Sequence, residues 1–173
     1  MDTTTHRILV MGVSGSGKTH IGKMLASRLE AEFIDGDDYH SSSSIAKMSR
    51  GQPLNDDDRQ EWLETLAGLF ASYRERGVSV VIGCSALKHR YRDILRTGDP
   101  SLAILYLRGS RDVLLERLGQ RSSHFFKGSR MLDSQLGDLE PPDESEAHGL
   151  DIALPPQRIV SDFLQWLIAA PRP

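Results

Sequence analysis

Gly12-Val13-Ser14-Gly15-Ser16-Gly17-Lys18-Thr19 is the stretch of this chain whose residue types and order carry the most specific chemistry. Glycines let a short loop curl until its backbone N–H groups point inward, and amides in that arrangement bind phosphate oxygens. Gly12, Ser14, Gly15, Ser16 and Gly17 would form the cradle, Lys18 would neutralise the β- and γ-phosphates, and the Thr19 hydroxyl would reach Mg²⁺. The order is that of a Walker A loop and calls for ATP and Mg²⁺ as cofactors. The plainer reading, a chance glycine-rich turn, requires eight positions to match without cause. The loop alone leaves open whether nucleotide is bound, hydrolysed or used as a phosphoryl donor.

A second group, Asp35-Gly36-Asp37-Asp38-Tyr39-His40, offers carboxylates. One beside the γ-phosphate can accept the proton of an attacking hydroxyl, and another can order metal-bound water. Asp37 is the candidate base and Asp35 the metal-side partner; the alternative is an acidic loop that only caps the following helix. The apolar run 80–82 passes into Gly83-Cys84-Ser85 without the acidic residue of a Walker B strand, which weakens a motor or GTPase reading. Arg117 and Arg121 stand four apart, so on a helix they share a face and can close over phosphates as charge spreads during transfer. Their plainer role is a basic helix end that suits the helix dipole.

These groups can meet only if the chain's regular elements deliver them to one edge. Residues 8–11 form an apolar run ending in glycine, as in a strand buried on both faces. Helical spacing predicts a helix over 18–29, a short strand over 32–35, a smaller helix near 45–49 and a long helix over 58–76 stopped by Gly77. Strands over 78–83 and 102–107 enclose a charged helix near 88–96. A helix over 111–118, a polar segment, a last strand over 150–154 and a helix opened by Pro155 and Pro156 complete the pattern. About five strands interleaved with helices give an α/β fold of three layers, α/β/α, around a mostly parallel five-stranded sheet. Ligands of such sheets sit at the carboxyl ends of the strands, where both chemical groups lie.

At 173 residues the chain fits one domain over its whole length. A net charge of −3 with 26% charged residues argues against a nucleic-acid or membrane-surface partner, so cationic sites must be local. Cys84 is the single cysteine, which excludes an intrachain disulfide and makes the cytoplasm the default location. No apolar stretch approaches the roughly 20 residues that span a bilayer, and the N-terminus lacks a signal pattern, so a soluble, unprocessed protein is expected. The acidic stretch 138–146 reads as a solvated loop without chemistry.

With the Walker A loop, four further segments bring the chain close to a known family. They are residues 35–40; Lys47-Met48-Ser49-Arg50-Gly51-Gln52-Pro53-Leu54-Asn55-Asp56-Asp57-Asp58-Arg59; Cys84-Ser85-Ala86-Leu87-Lys88; and His124-Phe125-Phe126 with Ser134-Gln135. In type and order they resemble the gluconokinases, over roughly residues 8–140. The resemblance implies a P-loop kinase fold with an acceptor-binding insertion at about 38–60 and a helical lid at about 119–135. It also implies ATP-dependent transfer to the 6-hydroxyl of D-gluconate, and a homodimer is common in the family. Gluconate is an anionic polyol, so Asp37, His40, Arg50, Arg59, Lys88 and His124 become candidate acceptor residues, with Arg92 weaker. An arginine fork suits a carboxylate because it binds both oxygens. Lys18, Asp37 and Arg121 are the expected catalytic groups, and Arg117 and Arg121 the lid's nucleotide contacts. The family tends to carry proline after the acidic-loop histidine, where this chain has Ser41. The rival readings are another metabolite kinase, such as a shikimate kinase, and a nucleotide-binding regulatory module that transfers nothing.

Overall fold

The structure, a computed structural model, describes residues 4–121 and 125–169, with side chains from 120 to 128 outside the description. Along the chain run β1 (Arg7–Met11), α1 (Lys18–Arg28), β2 (Glu32–Asp35), α2 (Ser42–Ser49), α3 (Asp56–Arg76), β3 (Val80–Gly83), α4 (His89–Arg96), β4 (Ala103–Arg108), α5 (Arg111–Arg121), α6 (Phe125–Asp138), β5 (His148–Asp151) and α7 (Pro156–Ala169). A 3-10 turn, Gly36–Tyr39, follows β2. The strands pair in parallel throughout, in the order β2-β3-β1-β4-β5.

The period of two in β1 explains the three layers. Ile8 and Val10 point into a core shared with Ile21 and Leu25 of α1 and Phe163 of α7. Leu9 and Met11 point the other way, onto Leu63, Leu66 and Phe70 of α3 and Leu95 of α4. Ile8, Leu9, Val10 and Met11 are all fully buried, as a strand covered on both faces requires. In this register Val10 and Asp35 are both partners of Gly83, so the ends of β1, β2 and β3 lie in one row. The glycine loop, the acidic turn and the Cys84-Ser85 segment therefore leave the sheet at a common edge. The edge lies where β1's neighbours diverge in chain order, a topological switch point.

Most expected elements stand within two or three residues of their predicted ends, and the departures have local causes. The smaller helix α2 begins at Ser42 because the Ser41 hydroxyl accepts a hydrogen bond from Ser44 N–H at 3.1 Å and so caps it. Helix α3 starts two residues earlier than expected: Asn55 and Asp58 form a reciprocal capping box, with Asp58 N–H donating to Asn55 at 2.8 Å and Asn55 N–H to Asp58 at 3.0 Å. The last strand is His148–Asp151 rather than 150–154. It is an edge strand with only β4 beside it, so it needs no continuous apolar run, and the chain turns directly after it with Ile152 buried in the core. The polar segment after α5 contains α6, anchored by the fully buried Leu132. The stretch 138–146 is also corrected: the Glu146 side chain is 9% exposed and holds Arg92 and Arg96.

Candidate active site

Helix α1 begins at Lys18 directly after Gly17, whose φ of 95° is left-handed and open to glycine at little cost. A Cβ on Gly12 would stand 2.6 Å from Ser16 Oγ and 3.0 Å from Leu107 O, so the loop is wound too tightly there for a side chain. Lys18 Nζ folds back to donate to Gly12 O at 2.9 Å and Val13 O at 3.2 Å. Burial holds its pKa below the ordinary lysine value, with Asp37 opposing the shift. Ser16 Oγ is buried without a hydrogen-bond partner, an orphan polar atom inside the cradle. Ser14 N–H is engaged by Gln135 Oε1 of α6 at 2.6 Å. Arg117 lies alongside: its Nη2 donates to Ile152 O at 2.6 Å, and a Cβ on Gly17 would be 3.8 Å from its Nη1. A nucleotide phosphate fits this cradle on the donors it shows: loop amides, a buried ammonium and an unpartnered hydroxyl.

The acidic turn divides its labour. Asp35 Oδ1 accepts from Asp37 N–H at 3.0 Å and caps the 3-10 turn, so the capping alternative holds for Asp35. Asp37 is left with its side chain 71% exposed and open to the cleft. His40 Nε2 stands 3.7 Å from Asp37 Oδ1. The His40 ring stacks on Trp62 with centroids 4.1 Å apart, and Trp62 Nε1 donates to Gly36 O at 2.8 Å, so the histidine is fixed from behind. His40 Nδ1 is buried and unpartnered. The His40 imidazole beside it, and then the charge of Lys18, hold the Asp37 carboxyl below the usual range, against desolvation by the walls. An ionised carboxylate beside a phosphate cradle is what a base for a hydroxyl requires.

Between loop and turn opens a cavity of about 480 Å³, lined by Ser14, Asp37, His40, Met48, Gln52, Pro53, Leu54, Arg59, Trp62, Ser85, Met131 and Gln135. The acceptor candidates separate here. Arg59 lines it, and its Nη1 donates to Tyr91 Oη at 3.2 Å while the Tyr91 hydroxyl donates to Asp56 at 3.0 Å. Arg50 is exposed, with Nη2 donating to Gln52 Oε1 at 3.3 Å, and its neighbour Gln52 supplies the wall instead. Lys88 lies off the lining, with Nζ 5.8 Å from the centre of the Tyr91 ring.

Arg92 is corrected outright. It is 1% exposed, and its Nη1 donates to Ala86 O at 2.7 Å and Leu87 O at 3.1 Å, its Nη2 to Glu140 O at 2.8 Å and its Nε to Glu146 at 2.6 Å. It pins the segment at Ala86, whose φ of 48° is strained for a residue with a Cβ. His124 and the Arg121 side chain lie outside the described residues. Sequence reading missed the supporting shell: Trp62 shows only the apolar spacing of the long helix and Tyr91 lies in the charged helix near 88–96 with no signal of its own, and only the three-dimensional meeting of α3, α4 and the turn gives them this role.

Comparison with known proteins agrees with this edge. A family model described as shikimate kinase matches residues 14–141. The thermoresistant gluconokinase of Escherichia coli (strain K12) is 44% identical over 171 residues, covering 95% of this chain and 97% of that protein. The chain belongs to the gluconokinase family. Among solved structures, a gluconokinase from Sinorhizobium meliloti 1021 superposes with a TM-score of 0.85 at 43% identity, covering 95% of this chain and 93% of that one. A sugar kinase from Janibacter sp. HTCC2649 gives 0.87 at 44% identity, with 96% of each chain covered. The shikimate kinase model sets the wider family, and full-length identity sets the narrower one. Kinases of this family use a nucleotide and a small-molecule acceptor, the two ligands that the loop and the cavity are shaped to take.

Proposed function

We propose that the protein is an ATP-dependent gluconokinase that converts D-gluconate to 6-phospho-D-gluconate. The observation that carries the reading is a cavity with the phosphate loop at one end, an ionised aspartate on its wall and an arginine facing the same space. The backbone amides of the loop and Lys18 hold the β- and γ-phosphates. Asp37 takes the proton of the 6-hydroxyl as that oxygen bonds to the γ-phosphorus, and the bond from phosphorus to the bridging oxygen breaks to release ADP. Arg59, held by Tyr91, binds the gluconate carboxylate through its planar fork.

Thr19, with the Asp35 carboxylate oxygen that the cap leaves free, would hold Mg²⁺. The ion, when bound, spreads the charge that builds on the phosphates. Arg117 lies close enough to the loop to face the nucleotide, and Arg121 is the second arginine proposed over the phosphates.

The test mixes purified protein with ATP, Mg²⁺ and D-gluconate, with shikimate in parallel, and follows ADP together with phosphorylated product by mass spectrometry. Gluconate-dependent ADP release with a matching phosphorylated acid is expected. A preference for shikimate, or ADP release indifferent to any acceptor, would overturn the assignment.

A further inference from the structure

Gln135 belongs to both halves of the site at once. Its Oε1 accepts the Ser14 N–H of the phosphate loop at 2.6 Å across 121 residues of sequence, and its side chain also lines the acceptor cavity with Asp37 and Arg59. One turn earlier on the same helix, Met131 Sδ lies 4.0 Å from Ser14 Oγ. The backbone beneath Gln135 is fixed. Leu132 is fully buried, Leu139 N–H donates to Gln135 O at 2.8 Å, and Glu140 N–H donates to Leu87 O at 2.8 Å. His89 N–H in turn donates to Glu140 Oε1 at 2.8 Å. Any change at Gln135 is therefore a change of side chain.

A neutral carboxamide oxygen is a weaker acceptor than a phosphoryl oxygen carrying charge, so a γ-phosphate arriving in the loop takes over the Ser14 N–H. A carboxamide has one acceptor oxygen and two N–H donors, so the released group can serve a hydroxyl in either sense. Resting on the kinase reading above, we infer that Gln135 serves the two half-sites in turn. It satisfies the Ser14 amide in the ligand-free enzyme, yields it to the γ-phosphoryl group, and then hydrogen-bonds the acceptor hydroxyl in the cavity it shares with Asp37. The acceptor's hydrogen-bonding partner thus becomes free only when a phosphoryl donor is in place.

The test has two arms, with Gln135→Glu and Gln135→Ala compared to the unaltered protein. In the first, calorimetry measures binding of ADP and of a non-hydrolysable ATP analogue, with Mg²⁺ and no acceptor. Glutamate keeps an acceptor for Ser14 N–H but sets a negative charge against the γ-phosphate, so Gln135→Glu weakens the analogue by about tenfold and ADP by less than about threefold. In the second, steady-state kinetics of Gln135→Ala show the gluconate KM rising about tenfold, the worth of a lost hydrogen bond, while the ATP KM does not rise. Equal effects of Gln135→Glu on analogue and ADP would overturn the first exchange. An unchanged gluconate KM in Gln135→Ala, or parallel losses in both substrates with a lowered Tm, would overturn the second. If the unaltered protein shows no gluconate-dependent turnover, the proposed function fails, and the first arm still decides whether Gln135 competes with the γ-phosphate.

Discussion

Asp37 and Asp35 are two residues apart and chemically alike, yet the fold gives them different work. One is tied to the turn as its cap, and the other is open to the cavity with His40 and Lys18 keeping it ionised. Asp37→Asn removes the base and leaves the cradle intact, so kcat falls by about 10²- to 10⁴-fold while nucleotide affinity stays within about twofold, read by turnover and calorimetry side by side. The sign of the pKa shift sets the pH behaviour: a lowered value keeps Asp37 ionised as pH falls through the ordinary aspartate range. The acid limb of kcat/KM should therefore lie below that of a variant lacking His40, such as His40→Phe. A limb that does not move upward in this variant would remove His40 from the role. The arginines differ in the same way. Arg59→Met should raise the gluconate KM by about tenfold or more, the worth of a hydrogen bond to a charged group, and Arg50→Met by less than about threefold; equal effects would return Arg50 to the acceptor site.

At the scale of elements, the loop after β3 is held in shape by a helix that never touches the cavity. Arg92 of α4 reaches under Ala86 and Leu87 and out to Glu140 and Glu146, so one guanidinium joins the β3–α4 segment to the chain that leaves α6. Removing it takes the donor from the Ala86 and Glu140 carbonyls and leaves the buried Glu146 carboxylate to Arg96 and His89. Arg92→Leu should cost about 3–5 kcal/mol in urea unfolding, far more than a surface arginine does. A loss under about 1 kcal/mol would show that the loop is held by something else. Ser41, where the resemblance leads one to expect proline, caps α2 with its hydroxyl.

For the molecule as a whole, the same buried cluster ties stability to pH. Burial opposes ionisation of Glu146, but Arg92 and Arg96 outweigh it, and the carboxyl lies below the usual glutamate value. A folded pKa lower than the unfolded one contributes stability above the ordinary glutamate range, and that contribution is lost as pH falls through the folded value. Urea midpoints should therefore drop from pH 7 towards pH 3, and Glu146→Gln, less stable at pH 7, should show a shallower drop. A parallel pH dependence in the variant would clear Glu146 of the effect. Among the described residues no helix is long and apolar enough to cross a membrane.

How much could be read beforehand follows from how far each signal reaches along the chain. The glycine loop, the buried strands and the long helix are local patterns of two to eight residues, set by backbone conformation and apolar period, and the sequence by itself determined them. It also determined the fold class, because alternating strand and helix leaves few ways to cover a parallel sheet. What only the tertiary structure decided was the sorting of like charges. Arg50, Arg59 and Lys88 carry the same weight in a string and Arg92 only a little less, but burial against Glu146 takes Arg92 for the framework and Tyr91 presents Arg59 to the cavity. Gln135, too, acquires its meaning only from a contact with Ser14 that spans 121 residues. Such partnerships depend on where helices pack in space, and no local spacing encodes the distance between groups that far apart along the chain.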